Sequence, residues 1–100
     1  MIYKGCNCRC IFPFPYPRSE VSTLYVTFQE KGETVVEKEL ADCDFLEEKI
    51  AVKLSQEETL RFGNNVTVKI QIRGKLIDNT AIKSNIMQTY TDKVLKDGVI

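Results

Sequence analysis

Four thiols and no histidine set the chemistry open to this chain of 100 residues. Cys6, Cys8 and Cys10 alternate with Asn7 and Arg9, and Cys43 stands apart. Four thiolates can hold zinc, but zinc knuckles use C-x2-C, which wraps a turn around the metal. A strand would place Cys6, Cys8 and Cys10 on one face. Its rise near 3.3 Å per residue would leave adjacent sulfurs roughly 6–7 Å apart, too far for one tetrahedral ion without a bend. The default reading is that small apolar thiols pack one face of a terminal strand. A metal or persulfide site and an oxidised, disulfide-linked form are the alternatives, and a cytosolic origin disfavours the second.

Without histidine the chain lacks the commonest general base and any Ser-His or Cys-His nucleophile pair. Paired acids stand at Glu47-Glu48 and Glu57-Glu58, and two carboxylates can hydrolyse glycosides. The first pair falls in a polar connection. The second falls in the first turn of a helix, where acids suit the dipole. No Gly-rich phosphate loop, G-x-S-x-G elbow, EF-hand pattern or H-E-x-x-H motif is present. The expectation is a protein that is no enzyme, with no catalytic, cofactor-binding or metal-binding residues and no cofactor.

What remains is contact chemistry. Phe12, Phe14 and Tyr16 interleave with Pro13, Pro15 and Pro17. Such a loop either docks a partner or sugar or folds back over the open end of a sandwich. Thr67, Lys69, Gln71 and Arg73 share the wet face of the clearest strand, which is either a solvated face or a partner surface. The candidate contact residues are therefore Phe14, Tyr16, Tyr25, Thr67, Lys69, Gln71 and Arg73.

The elements that must position them are mostly strands. Val66, Val68, Ile70 and Ile72 alternate with polar residues at period two. Before them, Ser55-x-x-Glu58 reads as a capping box that starts a short helix over about 56 to 62. Gly63 stands where a left-handed C-cap belongs. Ser22–Gln29 and Thr34–Leu40 flank Glu30-Lys-Gly-Glu33 as a hairpin, with Glu37, Lys38 and Glu39 exposed. Lys49–Leu54 is a further strand with Ile50, Val52 and Leu54 inward. The cysteine segment, 6–12, reads as an edge strand running into the proline loop. Asp42–Glu48 reads as a polar connection. Asp78-Asn79 is a turn, and Thr80–Thr91 returns with a blurred pattern. The end is a short apolar element at Val94, an Asp97-Gly98 turn and two apolar residues. The expected fold is mainly β, an antiparallel immunoglobulin-like β-sandwich of about six or seven strands with one short helix, in a single domain over 1–100.

Composition agrees with one modest globular core. The chain is 43% apolar and 28% charged, and a chain of this size buries roughly two-thirds of its unfolded surface. Fourteen basic and fourteen acidic residues cancel. No basic excess draws the protein to nucleic acid or an anionic membrane, and near-zero net charge weakens colloidal repulsion. No apolar run approaches the roughly 20 residues of a membrane span. The first residues lack the apolar stretch of a secretory signal, so folding in the cytoplasm is expected.

Several segments, in order, resemble a family of small proteins encoded in phage and prophage genomes of Gram-positive, gut-type Firmicutes, among virion structural genes. They are Tyr3-Lys-Gly5, Leu24-Tyr-Val-Thr-Phe-Gln29, Val35-Val-Glu-Lys38, Leu54-Ser-Gln-Glu-Glu-Thr-Leu-Arg-Phe62, Val68-Lys-Ile-Gln-Ile-Arg73, Ala81-Ile-Lys-Ser-Asn-Ile86 and Val94-Leu-Lys-Asp-Gly-Val-Ile100. The chain departs from that family where Cys6, Cys8 and Cys10 replace threonines and a proline, and where Asp78-Asn79 replaces Asp-Gly. The resemblance implies a non-enzymatic β-sandwich module of the particle, tail- or baseplate-associated. Its partners would be other virion proteins or further copies of itself, with no nucleic acid and no membrane. Its location would be the host cytoplasm during assembly and then the virion. A carbohydrate or cell-surface binding module, with Phe14, Tyr16 and Tyr25 lining a concave site, is the second reading.

Overall fold

Alternating apolar residues on five strands meet face to face and decide the architecture. The computed structural model describes residues 1–100. Its strands are β1 (Cys8–Pro13), β2 (Val21–Glu30), β3 (Glu33–Glu39), β4 (Cys43–Leu46), β5 (Lys49–Leu54), β6 (Thr67–Leu76), β7 (Ala81–Lys83) and β8 (Met87–Tyr90), with one helix, α1 (Gln56–Leu60). They form a three-stranded antiparallel sheet, β1-β5-β4, and a five-stranded one, β3-β2-β6-β7, with β8 also on β6. The expected mainly-β sandwich with one short helix is what the chain forms.

Period-two patterning puts Phe12, Ile50, Val52 and Leu54 inward from the small sheet, against Leu24, Val26, Phe28, Val36, Val68, Ile70 and Ile72 from the large one. Phe28 is the junction, with its ring 6.4 Å from those of Phe12 and Phe62. The β2–β3 hairpin closes on Lys31 and Gly32, both with positive φ (52° and 80°), the dihedral signature of a two-residue turn that matches strand twist.

Several expectations needed correction. Asp42–Glu48 is not a plain connection: Leu40–Asp42 makes a single 3-10 turn, and β4 then pairs with β5. The return after Asp78-Asn79 is two strands, because the chain breaks at Ser84–Ile86. There Ser84 binds Ile72 twice, its backbone N–H donating to the Ile72 carbonyl (2.8 Å) and its Oγ accepting from the Ile72 N–H (2.9 Å). Ile82 faces in before the break and Met87 after it, so the inward parity switches and blurs the pattern. Gly63 is no left-handed cap, since its φ is not positive. Space is what it supplies: its N–H donates to Glu30 Oε1 at 2.6 Å, and a Cβ there would stand 3.0 Å from Val66. Past Val94 no regular element forms. Leu95 and Ile100 are 91% and 90% exposed, and the Ile100 N–H donates to Gln56 Oε1.

The capping box is present: Ser55 Oγ accepts from the Glu58 N–H, and Glu58 Oε1 accepts from the Ser55 N–H. Glu58 also pairs with Lys38 at 2.7 Å, both side chains mostly buried. Lys38 therefore leaves the exposed set predicted for β3 and ties that strand to α1. Burial alone would raise the Glu58 pKa, but the Lys38 and Ser55 donors outweigh it and hold the carboxyl below its ordinary 4.5. A depressed folded pKa gives stability that is present above that ordinary value and lost as pH falls through the folded one. Lys38→Met is expected to cost about 1–2 kcal/mol at neutral pH, with a penalty that shrinks on acidification. Urea titrations from pH 7 to pH 3 check this, and a penalty constant with pH would contradict it.

Candidate functional site

The outer face of the large sheet gathers five of the seven candidate contact residues. Backbone register sets them in rows. Tyr25 stands opposite Glu39 on one side and Arg73 on the other, and Arg73 stands opposite Lys83. In the next row Thr27 lies between Glu37 and Gln71. Beyond it Gln29 faces Lys69, Lys69 faces Gln88, and Thr67 faces Tyr90. A shallow groove of about 220 Å³ runs along these rows, lined by Thr27, Gln29, Lys69, Gln71, Arg73 and the exposed Ile86. Gln71 is held in place by its amide, which donates to the Ser84 carbonyl at 3.1 Å.

The cations on this face make no ion pair. The molecule has two ion pairs, Lys38–Glu58 and Arg61–Glu57, so Lys69, Arg73, Lys75 and Lys83 have no carboxylate within 4 Å. Arg73 and Lys83, directly opposite on β6 and β7, are a like-charge pair of the kind that costs a few tenths of a kcal/mol.

The proline-aromatic loop behaves differently. Phe14 is only 5% exposed and belongs to the core, edge-on to Tyr16 (5.6 Å) and Phe45 (5.7 Å). Its N–H donates to the Glu48 carbonyl, which draws the loop back onto the β4–β5 turn. Phe14 is therefore corrected from a contact residue to a core residue. Tyr16 is half-buried beside it. Tyr25, 38% exposed, lies on the other sheet, so the concave aromatic site expected from Phe14, Tyr16 and Tyr25 does not form.

The thiols also depart from expectation in part. Cys6 sits exposed in the turn before β1, outside the strand that carries Cys8 and Cys10. The sulfurs of Cys8 and Cys10 are 3.5 Å apart rather than 6–7 Å, because the two side chains lean together along the strand. Cys10 and Cys43 flank Val52 from either side. Burial, then the neighbouring Cys8, pushes the Cys10 thiol up to about 12. Burial, then Asp42 and Asp44, pushes Cys43 up to about 11. Both stay protonated at neutral pH and pack against the core, a poor state for a nucleophile or metal ligand. No group of three or more Cys, Asp or Glu side chains converges to hold a metal. Of the acids, Glu58 is engaged in the cap, Glu57 lies 3.6 Å from Arg61, and Glu47 and Glu48 are exposed in the β4–β5 turn.

Glu37 and Glu39, expected only to be exposed, join the surface together with Lys83, Ile86 and Tyr90, which were not singled out. Alternation exposes the two acids on β3, but the rows require the strand register. No family model, no curated protein and no solved structure matches the chain.

Proposed function

We propose that this protein is a non-enzymatic structural or assembly module of a phage or prophage particle, tail- or baseplate-associated, acting by protein–protein contact through the outer face of its five-stranded sheet. The observation that carries the contact reading is the gathering of Tyr25, Thr67, Lys69, Gln71 and Arg73 on one exposed face whose cations lack any carboxylate within 4 Å. The particle context comes from the resemblance described above, whose most specific segments are Leu54–Phe62, which carries α1 and its cap, and Val94–Ile100. On this reading the protein resides in the host cytoplasm during assembly and in the virion afterwards. The carbohydrate-binding alternative loses the aromatic triplet on which it rested.

Mass spectrometry of particles purified from an induced lysogen tests the reading. Peptides of this protein are expected at a fixed ratio to the other structural proteins. A variant carrying Lys69→Glu and Arg73→Glu is expected to fold normally, since both positions are exposed, and to drop at least tenfold in the particles. Absence of the wild-type protein from purified particles would overturn the proposal.

A further inference from the structure

Across β3, β2, β6 and β7 the outward side chains of one row read Glu39, Tyr25, Arg73, Lys83. Reversed, that row complements itself, with acid against cation at the ends and phenol ring against guanidinium in the middle. We infer that this face docks on the same face of a second copy of the chain, the two related by a two-fold axis parallel to the strands and passing between β2 and β6. The inference rests on the contact-module reading above and names its partner. Such an axis lays β3 over the other copy's β7 and β2 over its β6, with every residue kept at its own level along the strands. Glu39 then meets Lys83 twice, Tyr25 meets Arg73 twice, and Thr27 meets Gln71 twice, an isologous contact that closes at two copies. Arginine over a tyrosine ring adds cation–π attraction. Aligned sheets cross at about 30°, so the match is closest near the crossing point and loosens away from it.

Charge selects a second copy over another partner. Fourteen charges of each sign leave no net repulsion between copies. On this face, however, the signs are separated: Glu37 and Glu39 lie on the β3 edge, and Lys69, Arg73, Lys75 and Lys83 on β6 and β7. Within one molecule Arg73 and Lys83 oppose each other without an acid, and in the pair each gains a partner. The ten residues each of β2 and β6, the seven of β3 and the three of β7, in strands about 4.8 Å apart, present roughly 500 Å², below the ~800 Å² per partner of a standard interface. The dimer is accordingly weak and sensitive to salt.

Sedimentation equilibrium at low ionic strength tests it. The wild type is expected to approach twice its 11.5 kDa at high concentration and to dissociate in concentrated salt. Glu39→Lys and Lys83→Glu, each alone, are expected to weaken association at least tenfold. Mixed in equal amounts, the two variants are expected to form a heterodimer, because each supplies the charge that the other lost. That recovery also shows both variants to be folded. A wild type that stays monomeric at millimolar concentration, a ring or filament in place of a pair, or a dimer indifferent to both reversals would each overturn the inference. A monomer still recovered from particles removes the self-pairing alone, and a dimer absent from every particle removes the module reading alone.

Discussion

Phe28→Ala is expected to lower the midpoint of thermal unfolding by about 20 °C. Phe28 has no exposed surface, and its ring joins Phe12 of the small sheet to Phe62 beyond α1. Truncating a buried phenylalanine costs about 3–5 kcal/mol through lost transfer energy and the cavity left behind, with some aromatic pairing lost besides. A domain of this size holds only about 5–15 kcal/mol in total, and each kcal/mol shifts its midpoint by about 4–8 °C. Calorimetry of the variant beside Tyr25→Ala, an outer-face control, makes the comparison. The control should lose less than about 1 kcal/mol. A similar loss at both positions would mean that Phe28 is not where the two sheets are joined.

Thr59→Val is expected to be nearly as damaging, at about 2–4 kcal/mol, although it changes no volume. The Thr59 hydroxyl is fully buried. It accepts from the Gly5 N–H at 3.1 Å, and its single proton is shared between the carbonyl oxygens of Cys6 and Gln56, each 3.0 Å away. Valine fills the same space but takes the acceptor from the Gly5 N–H and the donor from the Cys6 carbonyl, and a polar group orphaned away from water costs about 1–3 kcal/mol. Because Gly5 and Cys6 lie in the segment leading into β1, amide exchange at Gly5 should accelerate with the global loss. Thr59→Ser keeps the hydroxyl and should lose only about 1 kcal/mol, the value of one buried methyl group. Equal losses for Val and Ser would show that packing rather than hydrogen bonding holds this junction.

The sheets were legible wherever alternation was long. Val21–Glu30 and Thr67–Leu76 carry enough inward residues for period two to outweigh every other signal. The Ser55-x-x-Glu58 box was equally plain, since its chemistry is local. What could not be read depended on contacts distant in sequence. β4 has only Cys43 and Phe45 facing in, too few to stand out among Asp42, Asp44, Glu47 and Glu48. Lys38 looked like an exposed strand residue because its partner, Glu58, is twenty positions away. Phe14 looked like a docking ring because the Glu48 carbonyl that folds its loop inward lies on another turn. The sulfur spacing failed as a backbone argument, because side-chain torsions brought Cys8 and Cys10 together.

The contact surface was half legible. Thr67, Lys69, Gln71 and Arg73 follow from one strand's alternation. Tyr25 joins them only through the pairing of β2 with β6, and Glu39 and Lys83 only through two further registers. Register is set by turns and by the fit of whole strands, so the row that gives this face its self-complementary order exists in the fold and not in any one segment.

The claim that this face is where the protein is held is tested most directly by hydroxyl-radical footprinting of the dilute protein and of the protein in purified particles. Tyr25 and Tyr90, 38% and 52% exposed on the large sheet, should lose reactivity in the particle. Ile11, 49% exposed on the outer face of the small sheet, should keep it. Protection of Ile11 with Tyr25 and Tyr90 still reactive would place the contact on the opposite side of the sandwich and contradict the account.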